Sequence, residues 1–295
     1  MPNNIALAQK FLPIIDAAYK KESLTSRLDT QNIEFIGADT IKVFKTDVPG
    51  FGDYDRSVGF PHADYASSWE YFQLTVDRGV SMVIDSLDDA HALGMPFGTL
   101  VSEFMRTQEV PELDAYRFAK YASTSNILSA NADITVGTTD VPAAIEAAEQ
   151  AMGDAEVPED GRILYVSNKC YSAIKAKITR ILANENGVQT QIESYDGMPV
   201  VRVPQGRFNT AITLYDGTSN FGFVPTAGGY KINFMIIHPS AVVQTVAHRL
   251  PRIFSPVENQ AQDGWKFDMR LAHFAGVYDQ KVKGIYLHRA STANT

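Results

Sequence analysis

The chain has 295 residues, 45% hydrophobic and 20% charged, enough to bury a substantial core as one large domain or two smaller ones, and too apolar for a disordered chain. Its 26 Lys and Arg against 34 Asp and Glu give a net charge of −8 with no basic run, which argues against sequence-specific nucleic-acid binding. The single cysteine, Cys170, excludes an intramolecular disulfide and suits a reducing compartment, and no run of about 18 apolar residues supports a membrane span.

In chain order, Ile5, Ala8, Phe11, Leu12, Ile15, Ala18 and Tyr19 recur at helical spacing with Pro13 interrupting, a short amphipathic helix or an irregular arm. Gln9, Lys10 and Asp16 break the apolar character, so no signal peptide can be made from it. In "NIEFIGADTIKVFKTD", Ile33, Phe35, Ile41 and Val43 share one parity, which predicts a strand. Residues 48–68 are rich in Gly, Pro, Asp, Ser and Tyr, the chemistry of turns and loops. Then "FQLTVDRGVSMVID" alternates, with Phe72, Leu74, Val76, Val80, Met82 and Ile84 on one face. Read as one strand from Trp69 to Ile84, at about 3.3 Å per residue, it reaches roughly 50 Å. Two such strands around the loop predict an extended β-hairpin, which is marginal by itself and must lie against something else.

Residues 95–121 show the period of a long helix, with Glu103, Arg106, Glu112, Arg117 and Lys120 on its wet side and Pro111 as a bend. Beyond Ser123 elements alternate. "TTDVPAAIEAAEQAM" predicts a helix capped by Thr139 or Asp140 with Pro142 in its first turn. "GRILYVS" reads as a buried strand, "NKCYSAIKAKITRILAN" as a helix, and "QIESYDGMPVVRV" as a hairpin turning at Asp196-Gly197. "YKINFMIIHP" is a buried strand, "SAVVQTVAHRL" a helix candidate, and "GWKFDMRLAHFAGVYDQKVKGIYLH" two strands joined at 279–281.

Catalytic and metal motifs are missing from this pattern. Asp85, Asp88, Asp89 and His91 cluster, but lack calcium-loop spacing and fit acids at the start of a helix. The six histidines are scattered, with no HExxH arrangement, and there is no GxSxG elbow or phosphate loop. Cys170 has no patterned base beside it and reads as a small core residue. A chain that spends so many residues on a projecting hairpin is arranged to contact other protein.

The order of parts resembles the major capsid protein of tailed bacteriophages, the Hong Kong phage-type fold. The stretches that carry this are "TVDRGVSMVIDSLDDAHALG", "GTLVSEFMRTQEVPELDAYRFAKYAS", "GRILYVSNKCYSAIK" and "RLPRIFSPVENQAQDGWKFDMRLAHFAGVYDQKVKGIYLH", which together span essentially the whole length. The resemblance implies an α+β chain divided into an N-terminal arm (1–29), an extended hairpin loop (30–87), a peripheral domain with a long spine helix (88–129 and 251–295) and an axial domain (130–250). It implies a structural, non-enzymatic subunit that forms pentamers and hexamers of an icosahedral shell around packaged double-stranded DNA, touched only non-specifically. Scaffolding protein and portal are implied partners, with room for a decoration protein and no membrane. The location implied is the virion capsid, assembled in the host cytoplasm. Because the chain opens almost at once on the arm, the expectation is either that scaffolding is a separate protein or that this sequence is the mature form. Lys42 and Lys45, in the hairpin, read as solvated lysines rather than crosslinking groups.

No catalytic, cofactor or metal residue is assigned. The expected inter-subunit contacts are Phe51, Tyr54, Phe60 and Tyr65 at the hairpin tip and Phe72, Leu74, Val76, Val80 and Met82 along the return strand, the latter exposed in one chain and covered in the assembly. An encapsulin-like compartment, which would show a cargo-peptide pocket, and a cytoplasmic α/β enzyme with a dispersed site are the rival readings.

Overall fold

The computed structural model describes residues 23–30, 35–36, 40–57, 59–62, 64–86, 101–181 and 192–294. Strands β1 (Phe35–Ile36), β2 (Thr40–Asp47) and β3 (Ala66–Gln73) form an antiparallel sheet, with Thr40 opposite Gln73 and Asp47 opposite Ala66. Strand β4 (Val76–Asp85) leaves that sheet for another. A helical turn at 101–104 runs through a π-helical turn, Met105–Glu109, into α1 (Val110–Ala122). Then come β5 (Leu128–Asn131), α2 (Val141–Asp154), β6 (Ile163–Ser167), α3 (Asn168–Ile181), β7 (Ser194–Tyr195) and β8 (Met198–Val203). Strands β9 (Ile212–Leu214) and β10 (Phe223–Pro225) make a small pair, followed by β11 (Tyr230–Ile237), β12 (Val242–Phe254), β13 (Gly264–Val277) and β14 (Ile285–Ala293).

Two larger sheets organise the body. One has six strands in the order β5-β14-β11-β6-β8-β7, with β6–β8 and β14–β5 parallel. Its alternating side chains serve two cores: Tyr165, Met235 and Ile237 pack with Phe118 and Tyr121 of α1, whereas Leu164, Val166, Phe234 and Ile236 pack with Val141, Ile145 and Ile174 of α2 and α3. Coverage on both faces is why "ILYVS" is buried at every position. The other sheet is β12-β13-β4, all antiparallel. Strand β13 is the rod of the molecule: Phe267 and Met269 lie beneath the π turn, Phe274 beneath the hairpin, and Ala275 and Val277 in the core under α1.

Local chemistry accounts for the ends of these elements. Asp140 caps α2 by accepting from the Ala143 N–H, with Pro142 in the first turn. Asp196 and Gly197, both at positive φ, make the β7–β8 turn. Cys170 is fully buried, and burial pushes its thiol up to about 12, as fits a core residue.

Three expectations need correction and one, at Pro111, is made specific. The alternating run is not one strand: it breaks at Leu74 and Thr75, β3 pairing with β2 and β4 with β13. "SAVVQTVAHRL" is not a helix, because its β-branched Val242, Val243, Thr245 and Val246 enter a register with β13 that runs to Phe254. Pro111, which lacks an N–H and crowds the carbonyl four residues earlier, is met by the π turn that ends at Glu109. Arg117 is not on the wet side but fully buried. Asp85 ends β4, exposed; Asp88, Asp89, His91, the arm helix over 5–21 and the first turns of the long helix lie outside the described residues.

Candidate assembly surface

The β2–β3 hairpin has an inner face, an outer face and a tip. Inward, Ile41 is buried and Phe72 sits against Phe274 and Tyr278, ring centroids 6.3 and 5.7 Å apart. Gly276 makes this seat, since a Cβ there would lie 2.8 Å from the Phe72 ring. Polar ties hold the base. Lys45 Nζ lies 3.2 Å from Asp279 Oδ2, so it is paired rather than merely solvated. The Asp279 N–H donates to Glu70 Oε1 (3.1 Å), and Gln280 Nε2 donates to the Thr46 carbonyl (2.7 Å). Partial burial raises the Glu70 carboxyl above its ordinary value, with the Asp279 N–H working against the rise.

The outer face carries Phe44, Trp69 and Tyr71, each more than half exposed. Phe44 and Trp69 are cross-strand partners in edge-to-face contact at 5.1 Å, and the Lys42 ammonium lies 5.2 Å from the centre of the Tyr71 ring. At the tip Phe51 is wholly exposed, Phe60 is 80% exposed, and Tyr54 and Tyr65 are exposed as well. The tip has internal order: Tyr54 packs on Phe60 at 5.0 Å, and Asp55 accepts from the Ser57 N–H (2.6 Å) and, through its carbonyl, from the Gly59 N–H (2.7 Å).

Phe51, Tyr54, Phe60 and Tyr65 are therefore exposed at the tip, as expected of it. Phe72, Leu74, Val76, Val80 and Met82 are not: Val76 is buried, and the others are half-buried within the chain, Phe72 and Leu74 beside Phe274, Val80 and Met82 beside Phe267 and Met269. The expectation that this face is exposed in a single chain is overturned, because β13 and the helix above it supply its cover. The exposed aromatic face has the opposite parity. Sequence reasoning passed over Phe44, Trp69 and Tyr71, although Trp69 and Tyr71 flanking Glu70 on a strand was a readable signal.

A buried polar junction joins residues 23–30 to the body. Asp114, fully buried on α1, accepts from Thr25 Oγ1 (2.7 Å), Ser23 Oγ (3.1 Å), the Leu24 N–H (3.1 Å) and Arg207 Nη1 (3.4 Å). Arg117 Nη1 donates to Thr25 Oγ1 (2.8 Å), and its Nη2 lies 3.0 Å from Asp29 Oδ1. Gln244 of β12 donates to the Thr25 carbonyl (2.7 Å) and Asp29 Oδ1 (2.8 Å), and accepts from the Tyr121 hydroxyl. Burial drives the Tyr121 phenol far above its ordinary value, so it stays protonated as a donor.

Among the described residues no cluster of His, Cys, Asp or Glu could hold a metal ion, and no helix is long and apolar enough to cross a membrane.

No protein-family model and no curated protein matches the sequence. Comparison of the fold is informative: a projecting hairpin, a long helix across a three-stranded sheet and a six-stranded sheet flanked by helices make up the α+β, Hong Kong phage-type capsid fold. The capsid of cyanophage P-SCSP1u superposes with a TM-score of 0.60 at 13% identity, over 90% of this chain and 87% of that one. Gordonia phage Cozz gives 0.59 at 14% identity, over 92% and 87%. A virus-like particle from Pyrococcus furiosus gives 0.57 at 13% identity, over 95% and 98%.

Proposed function

We propose that this chain is a structural capsid subunit that forms pentamers and hexamers with its own copies and closes into an icosahedral shell around packaged double-stranded DNA. The observation that carries the reading is the hairpin. It displays Phe44, Phe51, Phe60, Trp69 and Tyr71 to solvent while an ion pair and hydrogen bonds fix its base, on a chain with a capsid fold. Exposed apolar patches of this kind mark protein contacts, and closed symmetry covers such a patch on every copy. On this reading residues 1–29 are the arm, 30–87 the extended loop, 88–129 with 251–295 the peripheral domain and 130–250 the axial domain. Scaffold, portal and decoration proteins are the expected partners, the DNA is held without sequence readout, and assembly takes place in the host cytoplasm.

An encapsulin-like compartment is the second reading, favoured by the nearly complete mutual coverage with the Pyrococcus furiosus particle. Electron microscopy of the purified chain tests both: capsomers or shells are expected, and monomers under every assembly condition would reject both. Shells that co-purify with an enzyme, in a host lacking phage genes, would favour the second.

A further inference from the structure

An apolar groove of about 360 Å³ lies between the helix-facing side of the β4–β13 pair and the helix above it. Val80, Met82, Met269 and Leu271 make its floor, and Phe104 and Gln108 stand on the helix side. Phe221 borders the groove and is nevertheless 70% exposed. The charged groups beside it are occupied with one another: Arg78 donates to both Glu112 oxygens at 2.7 and 3.2 Å, and Glu109 accepts from Arg249 at 3.0 Å. The groove therefore offers an occupant apolar surface rather than charge.

Phe221 belongs to the loop between β9 and β10, residues 215–222, whose neck and tip are held differently. At the neck the Tyr215 N–H donates to the Gly222 carbonyl (3.0 Å), and Arg78 donates to the carbonyls of both residues, so one guanidinium ties the neck to β4 and α1. At the tip the Gly217 N–H donates to the Asn220 carbonyl (3.2 Å) and Asp216 accepts from the Thr218 N–H (3.0 Å), bonds that lie within the loop itself. Gly217 and Gly222 flank the tip at φ +82° and +80°, backbone that few other residues adopt. The Phe221 ring sits over Gly217, where a Cβ would lie 3.4 Å from it.

We infer that this loop is a lid on the groove: its neck stays pinned by Arg78 while the tip turns about Gly222 and carries the Phe221 ring from solvent onto Val80, Met82 and Leu271. The occupant of the groove is thus a side chain of the same chain. Closure covers two bare apolar surfaces in one movement, and burying a phenylalanine ring favours the closed form by about tenfold or more. The open form displays ring and groove together, so the lid decides whether this side of the helix presents an apolar patch. The exchange takes place within one subunit and does not depend on whether that subunit builds shells.

The test uses the full chain at a dilution where sedimentation shows single subunits. Phe221→Ala should raise the emission of the apolar dye bis-ANS above the parent's, because removing the lid's ring leaves the groove bare. In Phe221→Trp, read against the parent so that Trp69 and Trp265 are common to both, acrylamide should quench the new indole several-fold more weakly than the one in Phe51→Trp, at the wholly exposed hairpin tip. Val80→Phe fills the groove from its floor and should cancel both effects; Leu271→Phe takes its place if the first loses the parent's circular dichroism. Dye emission unchanged or lowered in Phe221→Ala, an indole quenched as strongly at 221 as at 51, or either effect surviving the filled groove would overturn the inference.

Discussion

Asp114 holds Thr25 across 89 residues of sequence: its Oδ1 accepts a 2.7 Å hydrogen bond from the threonine hydroxyl, and Arg117 donates to that same hydroxyl from one turn further along α1. The start of the described chain is thus pinned to the long helix by charge in a dry setting. Asp114→Ala would leave the Leu24 and Thr25 N–H groups and the Arg207 guanidinium without their acceptor. We expect a loss of about 3–5 kcal/mol in denaturant unfolding, with Asp114→Asn losing less because it still accepts. A loss below about 1 kcal/mol would show that the junction is ornamental.

Gly276→Ala places a methyl 2.8 Å from the Phe72 ring, with Val243 3.4 Å away on the other side. The ring must leave its seat, and the hairpin base tilts with it. Overpacking of this kind costs about 1–3 kcal/mol. Limited proteolysis should then cut within 66–75 faster than in the parent; an unchanged rate would mean that Phe72 does not set the hairpin.

Phe51→Ser and Phe60→Ser remove exposed rings and should shift stability by no more than about 0.5 kcal/mol. Their effect belongs to assembly. Sedimentation velocity should show the double variant as unassembled subunits at concentrations where the parent forms large particles, with identical circular dichroism.

His273 gives a pH signature. It is buried in β13 with the Tyr116 ring edge-on at 5.0 Å, and burial, aided by Arg117 and Arg78, lowers its imidazolium to about 3. The unfolded chain takes up this proton near its ordinary value of 6.5, whereas the folded chain does not until about 3. Stability from this group is therefore full above pH 6.5 and falls between pH 6.5 and 3, by at most about 1.4 kcal/mol per unit. Glu109, raised by burial, acts in the opposite sense, so the difference between parent and His273→Gln is the quantity to measure. That difference should be constant above pH 6.5 and shift against the parent as the pH falls below it.

Much of the body was legible because its periodicities are local. The buried run of β6, the Asp140 cap and the Asp196-Gly197 turn each state their structure within a few residues. The failures share a different cause. Alternation from Phe72 to Ile84 is interrupted only by Arg78, so nothing local marks Leu74 and Thr75 as the place where the chain changes sheets. The even face was correctly singled out as apolar, yet its partners, Phe274, Phe267 and Met269, lie almost two hundred residues on, and without them it looked unpartnered. Arg117 read as solvent-facing because helical period alone cannot reveal a hydroxyl at Thr25 and a carboxylate at Asp29. The aromatic tip was found because loop composition and exposure go together; Trp69 and Tyr71 were missed because Phe72 had already claimed the inward face.

The account stands most directly on the hairpin as the gripping element, and deletion of residues 49–66 removes its tip while leaving the β2–β3 pairing to be closed by a short linker. Electron microscopy of parent and deletion, prepared side by side, should show closed shells for the parent and folded, dispersed subunits for the deletion. Shells of ordinary form from the deleted chain would contradict it.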